Sequence, residues 1–158
     1  MKILDLTAGN RATWFNKKHP MAIYIDKRPE VNPDFVCDIA HIPPDAGSDF
    51  DLIVFDPPHE NCGSSSNMSR CYGHSTRAEI IETINCASVE AHRLTRPDAL
   101  MALKWNDTAF NLDKVLYILK GCWEPLFGHH MRNRGGHGAK TQTYWVMLRR
   151  LEYSILDF

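Results

Sequence analysis

The sequence lacks any apolar run approaching the ~20 residues that a membrane-spanning helix needs, and its first residues lack the apolar segment of a secretory signal peptide. It also lacks a large net charge, since 18 Lys and Arg against 19 Asp and Glu give a net charge of −1 at pH 7. It lacks an even, regularly spaced set of cysteines, since its five cysteines are scattered, which favours a reducing compartment over a disulfide framework. We therefore expect a cytoplasmic protein that does not enter a membrane. If it binds nucleic acid, the positive charge must be local.

The first third of the chain contains short apolar runs, each closed by turn residues, at 2–6, 22–25, 35–38 and 50–55. Runs that are continuous rather than alternating are typical of strands buried on both faces. The length of 158 residues suffices for one hydrophobic core. We predict a single domain over residues 1–158, without a separate target-recognition domain.

The rest of the chain predicts helices between strands. Thr76 to Glu79 has capping-box spacing and begins a helix, which Arg96-Pro97 ends. A strand is predicted at 99–103 and a second helix near 109–120. The tail predicts strands at 123–127 and 141–151, joined by a glycine-rich loop over 128–140. This order predicts an α/β fold with a mostly parallel sheet and an antiparallel C-terminal strand pair.

Three turns would meet at the carboxyl edge of such a sheet, where ligands bind in doubly wound folds. The first, from Asp5 to Asn10, is expected to lead from a strand into a helix carrying Trp14, and Gly9 leaves space for a ligand. At the second, Asp26 could accept hydrogen bonds from two ribose hydroxyls. At the third, Asp38 closes its run. An ordinary turn is the alternative for Asp26, and a turn or helix cap for Asp38.

The most specific feature is Asp56-Pro57-Pro58-His59, directly after the run at 50–55. Two prolines cannot continue a central strand, so the backbone is rigid and leaves carbonyls without ladder partners. A carboxylate beside a fixed carbonyl can accept two hydrogen bonds from one NH2 group, and His59 adds a ring on which a flipped base could stack. Such a grip favours a nitrogen whose lone pair faces a methyl donor.

With these motifs the chain resembles the Rossmann-like class I methyltransferases, which have a three-layer sandwich fold and use S-adenosylmethionine. Within them it resembles the amino-methyltransferases with a D/N/S-P-P-aromatic motif. The segment from Ile3 to Asn10 resembles motif I and Asp56 to His59 resembles motif IV. The resemblance implies cofactor contacts from the first three turns, namely Asp5, Thr7, Ala8, Gly9, Asn10, Asp26 and Asp38. An Asp at the first position of motif IV resembles the adenine-N6 enzymes more than the cytosine-N4 enzymes.

Two departures from the family pattern stand out. The family usually has a further glycine where Asn10 and Arg11 stand, and Tyr, Phe or Trp where His59 stands. These departures concern the detail of the cofactor loop and the strength of base stacking.

The expected acceptor is DNA or RNA. Residues 125–151 contain no Asp or Glu but several Arg, Lys and His, which suits phosphate contacts, with a solvated hairpin tip as the alternative. A second substrate-facing loop is expected at 61–75. Specificity would come from these loops, a second copy of the chain or a partner subunit. The candidate substrate residues are Arg70, Tyr72, Trp105, Arg132, Arg134 and Lys140, with core packing as the favoured alternative for Trp105.

Other assignments compete with this one. The spacings His59-x2-Cys62 and Cys71-x2-His74 are those of zinc ligands, although motif IV already accounts for His59, so we expect no metal. The acceptor could instead be a protein or small-molecule amine. A third hypothesis is a non-catalytic, methyltransferase-like subunit that binds nucleic acid.

Overall fold

The structure is a computed structural model that describes residues 1–58, 76–132 and 142–152. Its strands form one seven-stranded sheet in the order β3-β2-β1-β4-β5-β7-β6. The strand bounds are β1 Ile3–Asp5, β2 Ala22–Asp26, β3 Phe35–Val36, β4 Phe50–Phe55, β5 Thr95–Asn106, β6 Trp123–Arg132 and β7 Gln142–Arg150. Strands β1 to β5 pair in parallel, and β7 pairs antiparallel with both β5 and β6. The predicted α/β fold class is confirmed.

The strand order places a topological switch point between β1 and β4. From β1 the chain passes to β2 and β3 on one side, and β4 and β5 lie on the other. In open α/β sheets, ligands bind outside the carboxyl ends of the strands at such a point. Asp5 ends β1 opposite Val54, and Phe55 ends β4 opposite Leu103. The turns that follow β1 and β4 therefore start side by side at one edge.

The helix α1, Arg77–Leu94, begins as the sequence predicts. The Thr76 hydroxyl accepts from the Glu79 N–H at 3.2 Å, and the Glu79 carboxylate accepts from the Thr76 N–H at 2.6 Å. Its buried residues recur at helical spacing and pack into the core, whose largest fully buried side chains include Trp105, Trp123, Phe50 and Phe55. The second helix, α2, spans Leu112–Leu119. Neither helix is long and apolar enough to cross a bilayer, as judged over the described ranges.

The prediction of a helix after Gly9 was wrong, because residues 6–21 form turns and bends without a helix. Gly9 and Arg11 have φ values of +49° and +53°, which interrupt a right-handed helix. The Arg11 guanidinium donates to the carbonyls of Lys17 and Asn32 and lies 3.9 Å from the Tyr24 ring centre, so it fixes the irregular segment. Trp14 therefore lies on this segment and not on a helix.

The C-terminal strands differ in length from the prediction. Strand β6 continues past residue 127 to Arg132, so the first part of the expected loop is strand. Gly128 fits the strand because a Cβ there would lie 2.8 Å from the Trp145 carbonyl oxygen on β7. At the other end, β5 begins at Thr95 and includes Pro97, with a register shift against β4 between Phe50 and Leu52.

Candidate active site

Three polar side chains form a row across neighbouring strands at the carboxyl edge of the sheet. Thr7 follows β1, Asp56 follows β4 and Lys104 lies near the end of β5. The strand registers that pair Asp5 with Val54 and Phe55 with Leu103 bring them into line. The row joins the predicted cofactor turn to the predicted catalytic motif.

Asp56 is held from both sides of this row. Its backbone N–H donates to the Thr7 Oγ1 at 2.8 Å, and its Oδ2 accepts from the Lys104 Nζ at 2.6 Å. The Asp56 and Lys104 side chains are 23% and 28% exposed, so this ion pair lies at the rim of the sheet with access to solvent. Pro57 is buried and Pro58 is half-buried. The corner is therefore anchored on both sides, with Oδ1 of Asp56 buried and the Asp56–Lys104 pair partly exposed.

Asp5 lies beneath the cofactor turn and is almost completely buried. Its Oδ1 accepts from the Thr7 N–H at 3.1 Å, and its Oδ2 accepts from the Trp14 indole N–H at 2.7 Å. Burial raises the pKa of this carboxyl to about 6, although these two hydrogen bonds act in the opposite direction. The negative charges of Asp56 and Asp26 raise the pKa further. Asp5 thus braces the turn after β1 through the Thr7 N–H and the Trp14 indole.

Asp26 is the carboxylate on the other side of the turn. Its Oδ2 accepts from the Gly9 N–H at 2.8 Å, which ties the end of β2 to the turn after β1. Its Oδ1 accepts from both the backbone N–H and the Nε of Arg28, each at 2.9 Å, while the Arg28 guanidinium also reaches Oδ2 at 3.1 Å. Burial alone would raise the pKa of Asp26, but the hydrogen bonds from Arg28 and Gly9 bring it below its ordinary value.

The departure at Arg11 has a structural explanation. Arg11 adopts φ +53°, the left-handed conformation that glycine accepts most readily. The hydrogen bonds of its guanidinium to the Lys17 and Asn32 carbonyls offset the cost of this conformation. The turn therefore has a glycine-like backbone at Arg11 without the glycine.

The other predicted cofactor residues line the same turns or stand near them. Ala8 is buried, and its N–H donates to the Ile25 carbonyl at 3.0 Å. Asn10 is exposed at the tip of the turn. Asp38 is exposed beyond β3, and its Oδ1 accepts from the Ala40 N–H at 2.8 Å. Asp38 thus makes the local turn contact that was the alternative to a cofactor contact.

Most of the predicted substrate residues lie outside the described residues, namely Arg70, Tyr72, Arg134 and Lys140. His59 and the candidate zinc ligands Cys62, Cys71 and His74 also lie outside. Arg132 ends β6, and its side chain is not among those described. Within the described part of the chain, no group of three or more His, Cys, Asp or Glu side chains could hold a metal ion.

Trp105 is fully buried in the core. Its indole N–H donates to the Phe110 carbonyl at 3.0 Å, and the two rings lie 5.0 Å apart. The structure accordingly favours core packing over a place in a base pocket. Two basic residues of the tail are also engaged locally, because Arg149 pairs with Glu124 at 2.6 Å and Arg150 donates to the His92 carbonyl.

Sequence reasoning missed Lys104 and the hydroxyl contact of Thr7 with Asp56. A signal for Lys104 was present, since it stands directly after the apolar run 99–103, as Asp56 stands directly after the run 50–55. Only the register of β4 with β5 makes these two endings neighbours.

The raised pKa of Asp5 predicts a specific dependence of stability on pH. The folded chain binds this proton more tightly than the unfolded chain, whose carboxyl has the ordinary value of 3.8. The contribution of Asp5 to stability is thus fully present below about pH 4 and is lost as the pH rises through about 6. In urea denaturation at a series of pH values, wild type should lose about 3 kcal/mol relative to Asp5→Asn over this interval.

The exposed carboxylate of Glu82 on α1 supplies the control, as Glu82→Gln removes one negative charge without touching the turn. Stability curves of wild type and Asp5→Asn that run parallel from about pH 4 to about pH 7 would contradict the assignment.

No protein-family model matches the chain, and no curated protein matches it by sequence. Solved structures do match. The N-methyltransferase NodS from Bradyrhizobium japonicum WM9, in complex with S-adenosylhomocysteine, superposes with a TM-score of 0.60 at 14% identity, over 96% of this chain and 78% of that one. A SAM-dependent methyltransferase from Methanosarcina mazei gives a TM-score of 0.61 at 12% identity, over 95% and 92%. A 16S rRNA (adenine(1408)-N(1))-methyltransferase from Catenulisporales acidiphilia gives 0.56 at 9% identity, over 96% and 88%. The chain therefore has the fold of S-adenosylmethionine-dependent methyltransferases.

Proposed function

We propose that the protein is an S-adenosylmethionine-dependent N-methyltransferase that acts on the exocyclic amino group of a nucleic-acid base, with adenine N6 as the first candidate. The observation that carries the proposal is the hydrogen bond of 2.8 Å between the Thr7 hydroxyl and the Asp56 N–H. It joins a glycine turn suited to a cofactor with a proline corner suited to an amine. Both lie at the switch point of the sheet, where ligands of doubly wound folds bind.

The residues of the turn suit the proposed cofactor. Gly9 has a positive φ of +49°, and a Cβ added there would lie only 3.2 Å from the Arg28 guanidinium, so the turn excludes a side chain at this position. Asp26 is a carboxylate at the end of β2, with acceptor oxygens suited to ribose hydroxyls. In the structure the Arg28 guanidinium already hydrogen-bonds both of these oxygens. Ribose hydroxyls can therefore bind Asp26 only if the Arg28 guanidinium moves away from these oxygens.

The proline corner performs the recognition of the acceptor amine. The Asp56 carboxylate accepts one N–H of the amine, and a backbone carbonyl of the corner accepts the other. The two acceptors direct the nitrogen lone pair along the line of attack, and the carboxylate stabilises the positive charge that the nitrogen acquires. S-adenosylmethionine, when bound, supplies an electrophilic methyl group. The nitrogen would gain this methyl group as the carbon–sulfur bond of the sulfonium breaks to leave the thioether, and it would then release one proton to water.

A nucleic-acid acceptor is supported by two independent features. The tail from residue 125 to 151 contains basic residues and no acidic ones. One protein with the same fold is a 16S rRNA (adenine(1408)-N(1))-methyltransferase. The name of NodS, an N-methyltransferase, supports a nitrogen acceptor in general. A protein or small-molecule amine is therefore the alternative, and it shares the same site.

The variant Asp56→Ala tests the catalytic assignment. Purified protein with labelled S-adenosylmethionine should transfer methyl groups to a DNA or RNA pool, and nucleoside analysis should identify N6-methyladenine. Asp56→Ala should lower the rate by about 100-fold or more, because a preorganised acceptor worth about 3 kcal/mol is lost. Calorimetry should give an unchanged affinity for S-adenosylhomocysteine, since the carboxylate does not belong to the cofactor turn.

Asp51→Ala is the matched control, because the Asp51 carboxylate pairs with Arg96 at the amino end of β4, whereas Asp56 follows the carboxyl end of the same strand. Methyl transfer to a protein pool alone would replace the nucleic acid with the alternative acceptor. Absence of cofactor binding by wild type would favour the non-catalytic subunit instead.

The variant Arg28→Ala tests the place of Asp26 in the cofactor site. Removing the guanidinium frees acceptor positions on Asp26 while the Gly9 N–H still orients it, so S-adenosylhomocysteine should bind about fivefold more tightly, or about 1 kcal/mol. Calorimetry measures this change, and the exposed neighbour Lys27→Ala controls for the loss of a positive charge. Weaker binding by Arg28→Ala would mean that the guanidinium supports the site and does not compete for it.

A further inference from the structure

We propose that Lys104 is a positioning residue for the reaction, holding the Asp56 carboxylate in the one orientation that receives the substrate amine. The inference rests on the proposed function and adds a residue that the motifs did not indicate. Its basis is the Nζ to Oδ2 distance of 2.6 Å, a short, charge-assisted hydrogen bond. The bond joins β5 to the residue that directly follows β4.

Lys104 lies on strand β5 and not on a loop, so the sheet itself places it beside Asp56. Phe55, the last residue of β4, pairs with Leu103 of β5. The residues that follow them, Asp56 and Lys104, are therefore neighbours. On its other side Lys104 pairs with Trp145 of β7. This pairing with β7, directly after the last pair of β4 with β5, holds the Lys104 backbone in place. The ammonium is thus aimed by a rigid element, which is what a positioning group needs.

The carboxylate needs such a partner because its last torsion angle is only weakly restricted. The χ2 rotation of an aspartate is broad, unlike the staggered torsions of most side chains. The Thr7 hydroxyl fixes the Asp56 backbone, and Lys104 fixes Oδ2. The orientation of Oδ1, which is buried, then follows because the group is planar, and the partly exposed edge of the carboxylate at Oδ2 is fixed with it. A small rotation of this group would misdirect the amine, and misplacement of ~1 Å can cost about 100-fold in rate.

Lys104 could act on the reaction by charge instead of geometry, and the two effects have opposite signs. The acceptor nitrogen becomes positive as it gains the methyl group, so a nearby ammonium opposes the transition state electrostatically. If charge dominated, removing the ammonium would accelerate methyl transfer. If positioning dominates, as we propose, removing it slows the transfer. The direction of the rate change therefore separates the two roles.

The test compares Lys104→Met, which keeps the length of the side chain but not its donor, with Lys104→Arg, which keeps a donor and the charge. Labelled methyl transfer to the DNA and RNA pools should give a kcat about 10- to 100-fold lower for Lys104→Met. The KM for the pool should change by less than about threefold, because phosphate contacts supply most of the affinity for a nucleic acid. Calorimetric binding of S-adenosylhomocysteine should change by less than about twofold, because the carboxylate does not belong to the cofactor turn. Lys104→Arg should fall between Lys104→Met and wild type. Lys114→Met, at an exposed position on α2, is the matched control.

A crystal structure of Lys104→Met supplies a readout that does not depend on activity. It should show the Asp56 carboxylate rotated or in more than one orientation, against one orientation in wild type. An unchanged carboxylate, or a kcat equal to or above that of wild type, would overturn the proposal for Lys104. If wild type itself methylates no nucleic acid, the proposed acceptor fails, and the carboxylate orientation in the two crystal structures still decides the role of Lys104.

Discussion

The structure of the site depends on one hydrogen bond, from the backbone N–H of Asp56 to the hydroxyl of Thr7. Thr7 belongs to the turn after β1 and Asp56 to the corner after β4, so this contact joins two segments 49 positions apart in the chain. A proline corner cannot satisfy its backbone through the sheet, and the threonine hydroxyl takes over that task for the residue before the prolines. The turn after β1 and the proline corner after β4 are thereby fixed relative to each other. The proposed methyl transfer requires this fixed relation, because the donor carbon and the acceptor nitrogen must meet in line.

Around this contact the edge of the sheet assembles acidic groups in three different environments. Asp5 is buried beneath the turn with a raised pKa, Asp26 is paired with Arg28 and has a lowered pKa, and Asp56 is paired with Lys104 at the rim. Asp5 and Asp26 bind donors of the turn after β1, whereas Asp56 binds Lys104 of β5. The order of the strands brings the three carboxylates to one edge of the sheet, and the segments that follow the strands supply most of their hydrogen-bond donors.

Much of this arrangement can be predicted from the sequence, because it depends on local patterns. The run at 50–55 became β4 with the same bounds, and Thr76 and Glu79 capped α1 as their spacing indicates. What could not be predicted depends on contacts between distant segments. The turns at 6–21 replace a helix because Arg11 bonds carbonyls of Lys17 and Asn32, and no local pattern reveals this. Lys104 was missed for the same reason, since a lysine after an apolar run becomes a partner of Asp56 only through the register of two strands.

The most direct measurement is a crystal structure of the protein with S-adenosylhomocysteine. The account predicts that the thioether sulfur lies beside the turn from Asp5 to Asn10 and faces the proline corner, with room for a planar base between the sulfur and the Asp56 carboxylate. The Arg28 guanidinium should have moved away from the Asp26 carboxylate, whose oxygens should accept hydrogen bonds from the ribose hydroxyls instead. A sulfur directed away from Asp56, or a corner closed to any base, would contradict the account.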